Sequence, residues 1–202
     1  MSSVVSGVAQ PVAQSVAIGR GGLAAPPVGY GAAALGNLYR ALGDDEWPGI
    51  VPAAWAGGIR YFDVAPHYGL GLAERRLGES LRQLPRDEYI VSTKVGLLVP
   101  QDAAGRTDID NLFDVPADHR RVQDYSRDGV LRSIEQSLER LGLDRIDIAL
   151  VHDPDAHERE ALEGAFPALS ELRDQGVITS FGAGMNQSAM LARFVRCLLY
   201  TS

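Results

Sequence analysis

At 202 residues, with 46% of them apolar and a formal net charge of −7, the chain is long enough for one filled core and too apolar for intrinsic disorder. No apolar run approaches the roughly 18 residues that span a bilayer, and the first 19 residues place no basic residue ahead of an apolar stretch. The basic residues form no cluster suited to phosphates, so neither a membrane nor a nucleic acid is expected as partner. A single cysteine, Cys197, rules out an intramolecular disulfide and a cysteine-rich metal site, and a reducing, cytoplasmic setting is expected. Of 19 basic residues 18 are arginine, and Lys94 is the only lysine. A lysine ammonium is compact and readily tuned by its surroundings, which draws attention to the neighbourhood of Lys94.

Residues 1–19 are small and weakly patterned and are read as a mobile tail without chemistry. Residues 21–36 are rich in glycine with two prolines, suggesting turns and a short hairpin. Asp44 and Asp45 precede a capped helix over 46–56 that ends at Gly57-Gly58. Strands are expected at 60–64, 89–95, 145–152 and 177–183, and helices at 72–84, 127–141, 157–174 and from 188 to about 195. A polar loop of about 25 residues, 100–124, separates the second strand from its helix and is long enough to imply function or disorder. Apolar residues run almost without a break through Ile148, Ala149, Leu150 and Val151, as in a parallel strand covered on both faces.

Four strand-helix pairs in succession imply parallel strands with right-handed crossovers, in an open doubly wound sheet or a β/α barrel. The open sheet would carry a glycine-rich phosphate turn after its first strand. Gly69-Leu70-Gly71 is the nearest candidate, but Glu74 stands where the third glycine belongs. The barrel is therefore favoured, with its chemistry at the carboxyl ends of the strands. There the sequence places Asp63, then His67 and Tyr68, then Lys94, then His152, and finally Asn186. Any one of these has an ordinary reading as a cap, a core group or a solvated charge; their appearance at the same level of consecutive strands raises a catalytic one. A tyrosine hydroxyl is a poor proton carrier near neutral pH unless an ammonium favours its phenolate. Lys94 would supply that charge, Asp63 would pair with it, and His152 would hydrogen-bond a substrate oxygen. A hydride would have to come from a cofactor.

The run from Gly58 through Asp63, Tyr68 and Gly69, followed by Glu74-Arg75-Arg76-Leu77-Gly78, closely resembles the signature of the aldo-keto reductases. Ser92-Thr93-Lys94-Val95-Gly96, the stretch from Ser133 to Leu141, and Val151-His152 resemble further units of that family in the same order. The resemblance implies an α/β fold, a TIM-type β/α barrel of which about the first four strand-helix units are present. It implies a catalytic set of Asp63, Tyr68, Lys94 and His152, with Tyr68 as the general acid-base and Tyr68 and His152 facing the substrate; His67, beside Tyr68, is read as either a substrate contact or a packing residue. It implies cofactor contacts at Gly31, Asp63 and Asn186, with NAD or NADP as cofactor and no metal. Leu35-Gly36-Asn37-Leu38-Tyr39, Asp124-Tyr125-Ser126, His152-Asp153-Pro154-Asp155 and Gly182-Ala183-Gly184-Met185-Asn186-Gln187 resemble the sugar-oxidising branch, whose members act on L-fucose or D-threo-aldoses, with relatives acting on pyridoxal. The function this implies is NAD(P)-dependent oxidation of an aldose at C1. Gly184-Met185 departs from the serine usual before the asparagine.

The resemblance makes residues 20–196 the amino-terminal half of such a barrel, and the break in pattern after Arg196 makes 197–202 a truncated or non-native tail. Unpaired edges are then expected at the first and fourth strands, and the chain alone is expected to be inactive. Two rival readings remain open: a Schiff-base aldolase using Lys94, and a non-catalytic subunit that keeps a cofactor pocket.

Overall fold

The computed structural model describes residues 15–18 and 22–200, with the side chains of 198–200 outside that description. Most of the expected amino-terminal tail therefore lies outside the described residues. Within it, however, Val16–Ile18 is a strand (β1), paired antiparallel with Leu23–Ala25 (β2). This hairpin spans the boundary drawn at residue 19, because its apolar residues have a surface to cover: Ile18, Leu23 and Ala25 pack against Tyr61, Ile90 and Ile148, the first residues of three central strands.

The main sheet has five parallel strands, where sequence reading expects four. Tyr30–Gly31 (β3), Tyr61–Asp63 (β4), Ile90–Val95 (β5), Ile148–His152 (β8) and Ser180–Gly184 (β9) lie side by side in chain order. An order that never reverses is the arc of a barrel, since a doubly wound sheet reverses at its switch point. The extra strand, β3, has only two residues and so no periodicity to read. The sheet's edges are consequently β3 and β9, and β4 is flanked on both sides.

Strand alternation divides the faces. Phe62, Val91, Val95, Ala149 and Val151 turn toward the helices and join the main core with Leu77, Leu81, Ile134, Leu141 and Leu169. Tyr61, Asp63, Ser92, Lys94, Ile148, Leu150 and His152 are the alternate residues, on the barrel's interior face. The carboxyl ends of β4, β5 and β8 thus present Asp63, Lys94 and His152 on that face.

The helices are Ile50–Ala56 (α1), Leu72–Leu81 (α2), Arg127–Leu141 (α3), a broken segment of Glu158–Glu160 (α4) and Phe166–Asp174 (α5), and Ser188–Tyr200 (α6). α3 occupies its expected span because both ends are marked: Ser126 Oγ accepts from the Gly129 N–H at 3.1 Å, and Gly142 closes the helix in the left-handed region. Asp44 and Asp45 do not cap α1. A 3-10 turn at Trp47–Gly49 precedes it, and the Glu46 carboxylate accepts from the Gly43 N–H instead. The expected single helix over 157–174 carries a π-helical turn, Ala161–Ala165, between its halves. Pro167 has no N–H to give to residue 163, and the wider turn takes up that break. α6 continues through Tyr200, so the backbone shows no break at residue 197, and Cys197 lies exposed on it.

The polar stretch 100–124 is not a plain loop. Leu97–Pro100 (β6) and His119–Val122 (β7) pair antiparallel, and between them Thr107 bridges to Pro116. Phe113 also bridges to Leu38, and Phe113, Val115, Leu98 and Leu70 form a small core of their own. Among the described residues, no helix is long and apolar enough to cross a membrane.

Candidate active site

Lys94 Nζ is the centre of the rim cluster. It donates to Asp63 Oδ2 at 2.7 Å, to the Val64 carbonyl at 3.0 Å and to the Tyr68 hydroxyl at 3.2 Å. Three N–H groups thus face three acceptors. Ser92, two residues before Lys94 and on the same face, donates to Asp63 Oδ1 at 2.6 Å and lies 3.1 Å from the Tyr61 hydroxyl. Both carboxylate oxygens of Asp63 are therefore held, although its side chain keeps 31% of its exposure while that of Lys94 keeps 7%. Gly184, on the edge strand β9 beyond β8, leaves room for this lysine: a Cβ there would stand 3.3 Å from Lys94 Cε.

Tyr68 reaches the cluster from the turn after β4. At Gly69 the backbone has φ +59° and presses on Gly36 so closely that a Cβ would collide with the Gly36 carbonyl, so only glycine fits. The Tyr68 ring stacks on Phe113 with centroids 6.1 Å apart and meets His152 edge-on, also at 6.1 Å. Its hydroxyl therefore stands at Lys94 while Phe113 and His152 wall its ring.

His152 and His67 form a second pair, with ring centroids 5.0 Å apart. Burial pulls His152 down to about 3, with the nearby charges of His67, Lys94 and Arg121 adding to the effect. Burial and then Arg121 pull His67 down to about 4, so both imidazoles are neutral near pH 7. His152 Nδ1 and His67 Nε2 are buried without a hydrogen-bond partner. The backbone of His152 is anchored by Tyr125, whose hydroxyl donates to the His152 carbonyl at 2.7 Å. Burial first, then Asp153, pushes the Tyr125 hydroxyl up to about 12, which keeps it a donor.

Asp63, Tyr68 and Lys94 are thus in direct contact, and His152 and His67 adjoin them through ring contacts. Gly31 ends β3 with nothing within 4 Å of the place its Cβ would occupy, and Asn186 is exposed in the bend after β9. These two stand at opposite edges of the sheet. Sequence reading gave no role to Ser92, Phe113, Asp108, Arg121 or Tyr125, although Ser92 and Tyr125 lie in stretches that carry the family resemblance. Ser92 was within reach of it, as the residue two before Lys94 on one strand face; the others meet the site through folds of the chain that no local spacing reveals.

A parallel β/α arc thus brings a tyrosine, a lysine and an aspartate into hydrogen-bond contact beside a histidine at its carboxyl rim, an arrangement that can pass a proton between the tyrosine hydroxyl and a bound ligand. The aldo/keto reductase family profile matches residues 27–194, and the chain belongs to that family. It is 52% identical over 179 residues to the D-threo-aldose 1-dehydrogenase of a Pseudomonas species, covering 87% of this chain and 54% of that protein. It is 42% identical over 189 residues to the pyridoxal 4-dehydrogenase of Microbacterium luteolum, covering 85% and 55%. The chain spans about half the length of the curated relatives it matches. An aldo-keto reductase structure from Pseudomonas aeruginosa superposes with a TM-score of 0.67 at 30% identity, over 90% of this chain and 63% of that one. A Klebsiella pneumoniae aldo-keto reductase in complex with NADPH shares the fold, with a TM-score of 0.64 at 21% identity, over 95% and 55%.

Proposed function

We propose that the protein carrying this chain is an NAD(P)-dependent oxidoreductase that oxidises the C1 hydroxyl of an aldose of the L-fucose or D-threo type. The observation that carries the reading is the Tyr68 hydroxyl lying 3.2 Å from Lys94 Nζ, with Lys94 locked to Asp63. Identity of 52% to a D-threo-aldose 1-dehydrogenase supports the substrate class.

In the oxidation direction Tyr68 takes the proton of the C1 hydroxyl. Lys94 Nζ, 3.2 Å from the Tyr68 oxygen, donates to that oxygen as the proton moves, and Asp63, held by Ser92, fixes Lys94 beside the phenol. His152, being neutral, offers an imidazole N–H to the substrate oxygen, and His67 extends the same polar wall. The residues present fit a flat ring over the sheet: Gly31 leaves an open place where a side chain would stand, and a buried His152 nitrogen awaits a partner. Gly31, Asp63 and Asn186 would hold the nicotinamide end of the cofactor. When bound, the nicotinamide takes up or supplies the hydride that no side chain can carry.

The aldolase alternative needs Lys94 as a nucleophilic amine. With its three N–H groups directed at three acceptors, Lys94 presents no lone pair to a carbonyl. The test is turnover of L-fucose and D-arabinose by the full-length protein with NAD+ or NADP+, followed by the absorbance of the reduced nicotinamide. Oxidation of at least one aldose is expected. Turnover of pyridoxal but of no aldose would move the substrate assignment to the other branch.

A further inference from the structure

The excursion between β6 and β7 does more than cover the barrel mouth. Arg121, on β7, grips Asp108 with both terminal nitrogens, at 2.8 and 2.5 Å, and one of them also donates to the His67 carbonyl at 2.9 Å. Asp108 keeps only 6% of its side-chain exposure and is held further by Asn111 Nδ2 at 2.8 Å. Phe113 is tied to Asp108 by its N–H, lies with its ring 5.9 Å from the Arg121 guanidinium, and stacks on Tyr68. The tip of the excursion is pinned beyond the site: Tyr39 N–H donates to the Leu112 carbonyl at 2.7 Å, and Asp114 N–H to the Asn37 carbonyl at 3.0 Å.

A hairpin that only needed to be stable could keep its ion pair on its own ladder. Here the carboxylate is buried, the guanidinium holds it through both terminal nitrogens, and one of those nitrogens is directed at the backbone of the residue immediately before Tyr68, while the adjacent phenylalanine sets the Tyr68 ring face. We infer that Arg121, Asp108 and Phe113 form a positioning unit that holds Tyr68 and His67 at the angle required for proton transfer. Arg121 fixes the turn through the His67 carbonyl, Asp108 fixes Arg121, and Phe113 restricts rotation of the phenol against Lys94. This rests on the reading of Tyr68 as the proton carrier.

The test uses the full-length protein. Removing Arg121 alone would leave Asp108 as a buried unpaired charge and could unfold the excursion, so the polar half is tested with the neutral pair Asp108→Asn/Arg121→Gln. Phe113→Leu keeps the apolar volume and tests the aromatic half, deciding the matter where the polar double variant does not fold. Both are expected to lower kcat by about 10- to 100-fold, the scale of loss that follows a displacement of about 1 Å at a reacting group. KM for the cofactor and the melting temperature should stay near wild type, and Arg121→Lys should keep more kcat than the double variant because one donor can still reach the His67 carbonyl. A kcat within about twofold of wild type in folded variants overturns the inference, as does a parallel loss of kcat, cofactor affinity and thermal stability. Tyr68→Phe separates the two readings. If it abolishes turnover while the positioning variants do not, only this inference fails; if it leaves turnover intact, the assignment of Tyr68 fails as well.

Discussion

Thr93 and Lys94 are neighbours on β5 that point to opposite faces, and each meets a carboxylate paired with a cation. On the helix side Thr93 Oγ1 donates to Glu74 Oε1 at 2.8 Å, and Arg140 Nε donates to Glu74 Oε2 at 2.6 Å. Glu74 is fully buried, and both its oxygens are used within the protein. On the interior face Asp63 remains partly exposed, and the third donor of Lys94 goes to a tyrosine hydroxyl. A buried ion pair is tolerated only when its remaining groups are satisfied. The Glu74 pair meets that condition by closing on itself and stitches α2 to α3 and β5; the Lys94 pair meets it by engaging Tyr68, a group able to exchange its proton with a ligand. The same chemistry one residue apart serves cohesion on one face and, on the proposed reading, reactivity on the other.

That division can be broken by experiment. Lys94→Met in the full-length protein is expected to lower kcat by about 10²- to 10⁴-fold, the usual share of a positioned proton-transfer group, with cofactor binding retained. If it lowered only the melting temperature, the interior pair would be as structural as its neighbour. Glu74→Ala should do the reverse. It leaves the partly buried Arg140 without its carboxylate partner and is expected to cost about 3 kcal/mol of stability by denaturant unfolding, with kcat of the folded protein nearly unchanged. A selective loss of kcat would place Glu74 in the site.

Acid should act on the interior face first. His67 and His152 have folded-state values of about 4 and 3, below the 6.5 of an unfolded histidine, so the unfolded chain binds more protons across that interval. Their contribution to stability is complete above pH 6.5 and is lost as pH falls toward 4 and 3. Unfolding free energy measured against pH should therefore decline over that window, and His67→Asn should flatten the decline. The smallest effect is expected for Ser92→Ala, about 1 kcal/mol, because water can replace part of its hydrogen bond to the partly exposed Asp63. A larger loss of kcat than of stability there would show that the orientation of Asp63 matters more than its pairing.

Much of the site was legible in the sequence because the chemistry-bearing residues close the strands of a regular repeat. Asp63 and His152 are the last residues of their strands and Lys94 the last but one of its own, and α3 is bounded by Ser126 and Gly142, whose capping roles are local. What was not legible depends on distance along the chain or on brevity. β3 is too short to show alternation. β6 and β7 flank 18 residues whose polar composition reads as loop, and their order comes from Asp108, Phe113 and Arg121 meeting groups near residues 38 and 67. Glu74 was noticed as a misfit to a glycine pattern and as part of a stretch resembling the family signature, without a structural role. Its partner Arg140 lies 66 residues away, so its structural role appears only in the fold.

The central claim is that the Tyr68 hydroxyl, poised by Lys94 and Asp63, carries the proton. The most direct measurement is L-fucose-dependent formation of reduced nicotinamide by full-length Tyr68→Phe beside the wild type, with thermal unfolding of both recorded. Loss of turnover with an unchanged melting transition is the result expected; turnover equal to wild type in the folded variant would contradict the account.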